Sequence, residues 1–417
     1  IPTVVTSFSD FQAKFGDVTK NGATGDSVQF LTSHAAEEYL KNSDTLTVVR
    51  ILDGTFTPAT ATITASGGTL ATGLSIFGAD SGSLPTTVFT LETLADGAIM
   101  NNADNTITTN AILLSGSKAN IRYEISNTNN KKGTFTLGIR AGNDNEKRKQ
   151  TLESFTGVNL DPNSNNFITK VIGDQKFTVR TDENSKPFLQ LTGSYPNKSR
   201  FVRVKSVEST AITTDYLDEN GNIRLDTFSG SLPLEGSGSG QGGFLGGANG
   251  VSGFDALGNQ VGTAASATYN FYESINEAGS QGYVLSTGAD GTNAYTQALD
   301  LLANQDEFDI NLILLPGIID SIHSTITSKA VDICEDRGDC FAIIDPVVYN
   351  KNVTDATTRA EARDSNFAAM YWPWIKVPDS QVAGTQRWVP PSTVLGGIYA
   401  FNDRVAHPWF APAGLNR

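Results

Sequence analysis

The stretch that decides the fold is the end of the chain, WVPPSTVLGGIYAFNDRVAHPWFAPAGLNR at residues 388–417. Together with residues 371–387 it contains six of the 15 prolines and all four tryptophans, Trp372, Trp374, Trp388 and Trp409. Large aromatic rings are stabilised by burial, and proline restricts the backbone with little further loss of entropy. The region therefore predicts a rigid segment that wraps against a core or an interface.

Length and charge define the class of protein. A chain of 417 residues exceeds the usual size of one domain, so about two to four domains are expected. The net charge of −14 argues against a nucleic-acid partner. The basic runs at 131–132 and 147–149 are short and lack interleaved aromatic residues. We expect no nucleic acid among the partners.

Membrane and metal signals are weak. The longest apolar run, at 310–315, contains Asn311 and is far shorter than the ~20 residues that cross a bilayer. The beginning of the chain has no basic and then apolar signal pattern. Cys334 and Cys340 are the only cysteines, with no second pair to complete a zinc site. We therefore expect no membrane partner and a reducing, cytoplasmic place of assembly.

Residues 1–55 predict two helices and a strand. Ser7 can cap the first helix and Gly16 can end it; apolar residues at helical spacing over 28–39 indicate the second. A β-prone run at 45–52 predicts the strand. We interpret residues 1–55 as the first part of an α/β core domain.

The middle of the chain predicts β structure. Residues 56–132 are rich in Thr, Ala and Gly and carry short β-prone runs between turn residues, which indicates an inserted, exposed antiparallel β domain. Residues 133–280 predict a β-rich middle domain. Its segment 231–262 contains eleven glycines and is predicted to be a mobile surface loop. The Asp-Pro-Asn-Ser run at 161–164 is typical of a turn rather than a calcium site.

Residues 281–417 predict the second part of the α/β core domain. A helix follows Asp290, a buried strand covers 311–315, and Pro316-Gly317 is expected to turn the chain. Asp320 can cap the next helix, and a strand at 340–344 ends at Asp345. Strand, helix and strand at this spacing predict a parallel crossover. The fold class is thus a multi-domain α+β or α/β protein with a Pro/Trp-rich C-terminal wrap.

The chain offers no set of catalytic groups in a known pattern. The three histidines, His34, His323 and His407, match no ligand or catalytic spacing. Asp345 lies at the carboxyl end of a parallel strand, where catalytic groups occur, but such a residue is more often a turn or cap. Acidic neighbours disfavour a Cys334 thiolate. We predict no enzyme activity, no catalytic or metal-binding residues and no cofactor.

The C-terminal region resembles a known family. Trp-Val-Pro-Pro at 388–391, Gly-Gly-Ile-Tyr-Ala at 396–400, Asn-Asp-Arg at 402–404 and Ala-Pro-Ala-Gly-Leu-Asn-Arg at 411–417 are similar to the signature of contractile tail sheath proteins of bacteriophages. Phe401 departs from the arginine that is common in the family. The family continues beyond this signature, so the resemblance implies that its N-terminal arm and C-terminal domain are missing from the chain.

The resemblance implies a structural role. Copies would polymerise as helically stacked rings around a tail tube and contract to drive the tube through the host envelope. The implied partners are the chain itself, the tail tube protein, and the baseplate and tail terminator proteins; the implied location is the virion tail. The residues expected to lock the wrap to the core are Trp388, Pro390, Pro391, Gly396, Gly397, Tyr399, Asp403, Pro412 and Asn416.

Two other functions stay open. Sheath subunits of non-viral contractile injection systems, such as tailocins or secretion systems, would have similar sequences. A β-rich carbohydrate-binding surface protein is suggested by the Thr- and Gly-rich region; that function favours exposed aromatic residues there, yet all tryptophans lie elsewhere.

Overall fold

The computed structural model describes residues 1–16, 18–20, 27–52, 55–67, 86–97, 107–108, 110–113, 120–236, 240–250, 275–281, 283–379, 384, 386–407 and 409–412. The described part is a mixed α+β structure, as the sequence predicts. Its helices are α1 (Phe8–Phe15), α2 (Leu31–Leu40), α3 (Ile168–Ile172), α4 (Asp226–Gly230), α5 (Asp290–Leu302), α6 (Ser324–Arg337), α7 (Val353–Glu361) and α8 (Ser392–Val405).

The strands are numbered in chain order. The first twelve are β1 (Pro2–Val5), β2 (Val18–Lys20), β3 (Ser27–Gln29), β4 (Leu46–Val49), β5 (Thr55–Thr64), β6 (Thr87–Asp96), β7 (Ile121–Asn129), β8 (Thr134–Ala141), β9 (Thr151–Asn159), β10 (Lys176–Thr181), β11 (Pro187–Thr192) and β12 (Val202–Val207). The others are β13 (Gln241–Gly243), β14 (Ala248–Gly250), β15 (Gly279–Ser280), β16 (Tyr283–Val284), β17 (Leu312–Ile319), β18 (Phe341–Asp345), β19 (Ala368–Met370), β20 (Ile375–Pro378) and β21 (Gln386–Val389).

Two four-stranded antiparallel sheets, in the orders β12-β6-β5-β14 and β13-β7-β8-β9, share one hydrophobic core. Alternate side chains of each strand point inward, so Phe89 of one sheet stacks on Phe135 of the other with ring centroids 5.9 Å apart. Strands on both sides of residue 132 contribute to this core. The division into two β domains at that residue stays a prediction.

The glycine-rich segment differs from the prediction of a mobile loop. Strand β13 pairs with β7, and β14 pairs with β5, so this segment supplies an edge strand to each sheet. Phe244 between them is fully buried and meets the Tyr123 ring edge to face. Glycine needs no space for a side chain, so backbone pairing and one aromatic anchor order the segment. Residues 251–262 of the predicted loop lie outside the described residues.

The α/β core contains the three-stranded parallel sheet β17-β18-β19. Helix α6 connects β17 to β18 and buries Ile326, Ala330 and Ile333 in a shared core, which confirms the predicted strand, helix and strand. The predicted turn at Pro316-Gly317 is wrong. The strand continues through both residues with an irregular register, because proline lacks an N–H and Gly317 takes a φ of 89°, which together produce a bulge.

The sequence predicts that Asp320 caps α6, and this prediction is wrong. The N-cap residue of α6 is His323. The Asp320 carboxylate is buried and accepts hydrogen bonds from Thr327 Oγ1 at 2.7 Å and from the guanidinium groups of Arg359 and Arg363. Arg359 of α7 and Arg363 in the turn after it offset the cost of burying this charge. Asp320 therefore holds α7 to the core.

The N-terminal elements form largely as predicted. Ser7 Oγ accepts the Asp10 N–H at 3.1 Å, and Gly16 ends α1 with a φ of 74°. Helix α2 begins later than the periodicity indicates, because residues 27–29 form β3. Strand β4 pairs with β1 in antiparallel register.

A charged cluster is buried at one end of the β7-β8 pair. Asp144 accepts hydrogen bonds from Arg140 Nε at 2.6 Å and from Arg122 Nη1 at 3.4 Å, and its side chain is fully buried. Arg140 Nη1 also donates to Glu124 at 2.8 Å. Removing one partner of such a pair leaves an uncompensated charge in a medium of low dielectric constant.

We therefore expect Asp144→Ala to lower the free energy of unfolding by about 3–5 kcal/mol, measured by chemical denaturation. Glu146→Ala is the matched control, because that carboxylate lies two residues away but its side chain is 52% exposed. The control should change stability by no more than ~0.5 kcal/mol. Equal effects of the two variants would contradict a buried role for the cluster.

Candidate functional site: the C-terminal helix and its contacts

The α8 site consists of helix α8, the β20-β21 hairpin before it, residues 406–412 after it, and the core residues that contact them. The hairpin is fixed by aromatic packing. Trp374 is buried and donates from Nε1 to the Val347 carbonyl at 2.9 Å. The Tyr349 ring lies between Trp374 and Trp388, with centroids 5.8 Å and 5.4 Å away. These contacts set the direction in which the chain enters α8.

The first turn of α8 is held by a carboxylate from the parallel sheet. Pro390 and Pro391 are buried immediately before the helix, where the fixed φ of proline suits helix entry. Ser392 then donates to Asp345 twice, from its backbone N–H at 3.0 Å and from its hydroxyl at 2.6 Å. Asp345 thus caps a helix that begins 47 residues later in the chain, which agrees with the cap interpretation rather than the catalytic one.

The Asp345 carboxyl group is buried, and burial disfavours its charged form. It is 1% exposed, and burial raises its pKa to about 7 although the Ser392 hydrogen bonds act in the opposite direction. Within the described residues no Lys, Arg or His forms an ion pair with it, and Ser392 is its only hydrogen-bond donor among the causes of the pKa shift. The positive end of the α8 dipole and the donors of Ser392 are therefore its main stabilising partners.

Two glycines allow the middle of α8 to approach the core closely. A Cβ on Gly397 would lie 2.7 Å from the Glu38 carbonyl oxygen of α2. A Cβ on Gly396 would lie 2.7 Å from Cδ1 of Leu314 on β17. Asn42 Nδ2 adds a hydrogen bond to the Gly397 carbonyl at 3.3 Å. Close approach to the α2 backbone requires glycine at position 397, whereas position 396 faces the end of a leucine side chain.

The other predicted residues have different surroundings. The Tyr399 hydroxyl contacts the Tyr371 hydroxyl, Asp403 is exposed, Pro412 is half-buried, and Asn416 lies outside the described residues. Trp409 is 77% exposed and stacks on His407 at 4.5 Å. Of the predicted residues, Pro390, Pro391, Gly396 and Gly397 are buried, Trp388 and Tyr399 are half-buried against Tyr349 and Tyr371, and Asp403 is exposed.

Residues that could carry chemistry elsewhere have structural partners. His323 Nδ1 accepts the Ile319 N–H at 3.2 Å, and the sulfur atoms of Cys334 and Cys340 lie 3.3 Å apart in the core. Burial raises the pKa of the Cys334 thiol. Across the described ranges, no three or more His, Cys, Asp or Glu side chains are grouped so that they could hold a metal ion. No helix in that part of the chain is long and apolar enough to span a membrane.

The sequence does not predict which core residues contact α8. Glu38, Leu314 and Tyr349 are far from residue 392 in the chain, and no local pattern links them to it. The one available signal was Asp345, a carboxylate at the end of a predicted parallel strand. It indicated a cap but not the helix that it caps.

The described part of the chain is thus a mixed α+β structure in which helix α8 packs against the parallel sheet and α2. The chain is similar to a tail sheath protein of Vibrio phage KVP40, with 25% identity over 160 residues. The match covers 30% of this chain and 22% of the relative, so the chain spans only a small part of the curated relative's length. No protein-family model matches the chain.

One solved structure is also similar, the crystal structure of a sheath tail protein from Desulfitobacterium hafniense. The TM-score is 0.40 with 12% sequence identity, over 96% of this chain and 55% of that one.

The surroundings of the two glycines in α8 predict which of two alanine variants is less stable. Gly397→Ala should lower the free energy of unfolding by about 1–3 kcal/mol, because its methyl group would meet backbone that cannot move aside. Gly396→Ala is the matched control: its methyl group meets the end of a leucine side chain, and alanine favours the helix by about 1 kcal/mol. Thermal and chemical unfolding should therefore rank Gly397→Ala as the less stable variant. The reverse order would contradict the close α2-α8 contact.

The buried Asp345 carboxyl group predicts how the free energy of unfolding depends on pH. Its pKa in the folded protein, about 7, lies above the value of about 3.9 expected for an unfolded chain. The folded state therefore binds the extra proton, and this contribution to stability is fully present below pH ~4 and is lost as pH rises to ~7. Asp345→Asn should remove up to about 4 kcal/mol of that dependence.

The measurement is the difference in unfolding free energy between parent and variant from pH 4 to 7.5. Burial lowers the pKa of His34 and of His323, which acts in the opposite sense and cancels in the difference. Asp403→Asn, an exposed carboxylate on the same helix, is the control. A constant difference between parent and Asp345→Asn across this range would contradict the buried, unpaired carboxylate.

Proposed function

We propose that the chain is a structural subunit of a contractile phage tail sheath. Copies assemble as helically stacked rings around the tail tube and contract to drive the tube through the host envelope. The proposal is supported by the signature-like order of residues 388–417 and by the partial similarity to a phage tail sheath protein. In such a protein free energy resides in contacts between subunits, so function needs no catalytic residue.

The observation that carries the proposal is an exposed apolar surface on a rigidly held helix. Ile398 and Val405 lie two turns apart on α8 and are exposed, and Trp409 and Phe410 follow on the exposed segment after it. Exposed large apolar side chains in one region are typical of protein contacts. A net charge of −14 repels other copies at low salt, so specific apolar contacts are needed for assembly.

The anchoring of α8 suits a subunit that moves as a rigid body. The Asp345 cap, the buried prolines and the two glycines connect the exposed face of α8 to the parallel sheet and to α2. Force on that face would reach the core without bending a flexible link. Repeated heterologous contacts of this kind generate open helices rather than closed dimers. The proposed partners are other copies, the tail tube protein, and the baseplate and terminator proteins of a virion tail.

The test is negative-stain microscopy of the product of the complete gene, alone and with the tail tube protein. We expect hollow tubes or stacked rings. Dispersed monomers at every salt concentration and pH would overturn the proposal.

A pair of matched variants tests the surface. Val405 and Val353 are 52% and 53% exposed, but only Val405 lies on the α8 face. Val405→Ser should reduce the sedimentable assembled fraction several-fold, since burial of a valine at an interface contributes about 1.5–3 kcal/mol. Val353→Ser should assemble like the parent. Unchanged assembly of Val405→Ser, with normal thermal stability in both variants, would contradict a role for this face.

A further inference from the structure

The two cysteines of the chain meet in the hydrophobic core between α6 and β18. Cys334 lies in the last turn of α6, and Cys340 immediately precedes β18. Both are free thiols; Cys334 is 0% exposed and Cys340 is 4% exposed. The Cys340 thiol donates to the Cys334 sulfur, with the two sulfur atoms 3.3 Å apart. This pair of nucleophilic groups plays no part in the α8 site and requires its own explanation.

The two sulfur atoms lie close to bonding distance. A disulfide bond is about 2.0 Å long, so each sulfur has to move by about 0.6 Å from the observed separation of 3.3 Å. Rotation of the two short side chains supplies a movement of that size. The surrounding core therefore does not have to rearrange for the bond to form.

The turn between the two cysteines is held in place by Arg337. Its guanidinium donates to both carboxylate oxygens of Asp339 at 2.8 Å, and to the carbonyl groups of Leu302 and Phe308 at 2.7 and 2.9 Å. The Gly338 N–H donates back into the last turn of α6 at 2.9 Å, and its φ of 72° ends the helix. A turn fixed in this way has already lost the entropy that closing a ring costs.

We propose that Cys334 and Cys340 are a modification site, at which a small-molecule disulfide such as oxidised glutathione converts the two thiols into a reversible intrachain disulfide. The bond ties the end of α6 to the start of β18. This covalent lock goes beyond the proposed sheath role and does not depend on it.

The reaction is a thiol–disulfide exchange in two steps. The Cys340 thiolate attacks the reagent, which leaves a mixed disulfide on the protein and releases one small thiol. The Cys334 thiolate then attacks the Cys340 sulfur and releases the second small thiol. The protein loses two electrons and two protons, and the reagent is reduced to two thiols. Cys340 reacts first because it is the less buried cysteine and follows the exposed Asp339.

Burial slows this reaction without changing its end point. Only the thiolate is nucleophilic, and burial raises the pKa of the Cys334 thiol. The turn at 338–340 also has to open before the reagent reaches a sulfur atom. We therefore expect oxidation over minutes to hours, as for other uncatalysed disulfide exchange in proteins.

The bond would act on the sheet that anchors α8. Strand β18 pairs with β17 and β19, and Asp345 at its far end caps α8. A covalent tie at the other end of β18 therefore stabilises the support of α8. A reducing cytoplasm keeps the two thiols free, and an oxidising medium outside the cell forms the bond. The chain thus becomes more stable once it leaves the cytoplasm.

The experiment uses the whole chain, first reduced and then equilibrated with mixtures of reduced and oxidised glutathione. Exchange is stopped with an excess of a maleimide in denaturant, and the intact mass is measured. We expect the oxidised chain to carry no maleimide and to be about 2 Da lighter, the mass of the two hydrogen atoms that it loses. Retained glutathione as the main product would overturn the proposal, as would disulfide-linked dimers on a non-reducing gel.

A comparison of the folded and the unfolded chain tests the geometry. The equilibrium constant for bond formation should be at least ~tenfold larger in buffer than in concentrated urea, because folding holds the two thiols together. An equal or smaller constant in the folded chain would show that the native positions of the sulfur atoms oppose the bond, and would overturn the proposal.

Stability provides the second readout. By linkage with the tenfold effect, oxidation should raise the midpoint of thermal unfolding by about 3–6 °C. Cys334→Ala and Cys340→Ala should each have the same midpoint under oxidising and reducing conditions. The mass measurement and the urea comparison use the parent protein, so they hold even if a variant fails to fold. An equal midpoint for the oxidised and the reduced parent would contradict the covalent lock.

Discussion

The hydrogen bonds between Asp345 and Ser392 are the constraint on which the C-terminal half depends. The Asp345 carboxyl group at the end of β18 is buried, has no ion-pair partner among the described residues, and accepts hydrogen bonds from the first turn of α8. Neither group is satisfied without the other, since a buried charge and the free N–H groups of a helix end are both costly. The parallel sheet and the C-terminal helix are therefore one unit energetically as well as spatially.

The rest of the α8 site follows from this fixed point. Once the start of α8 is placed at the end of β18, the helix must cross α2, and side chains at positions 396 and 397 would collide with Leu314 and Glu38. Glycine removes that conflict at both positions. The outer face of the helix then keeps its apolar residues in contact with solvent. Anchoring on one face and exposure on the other are two results of the same placement.

The sequence predicts local features such as helix caps and buried helix faces, but it does not predict contacts between residues far apart in the chain. Ser7 and Gly16 define α1 because caps act within one turn, and the apolar spacing of Ile326, Ala330 and Ile333 predicts the buried face of α6. The partners of α8 could not be predicted, because their separation in the chain carries no periodic signal. Composition alone does not predict order in the glycine-rich segment, since the pairing of strands β13 and β14 and the buried ring of Phe244 order its described part.

The exposed face of α8 and the anchored face behind it are chemically different. A helix satisfies its own backbone hydrogen bonds, so the exposed face offers side chains only, among them Ile398 and Val405. Such a face can meet another folded surface through side-chain packing but not through strand pairing. Because the first turn of the same helix is bonded to Asp345 and its middle packs against α2, a displacement of the exposed face would also displace the parallel sheet.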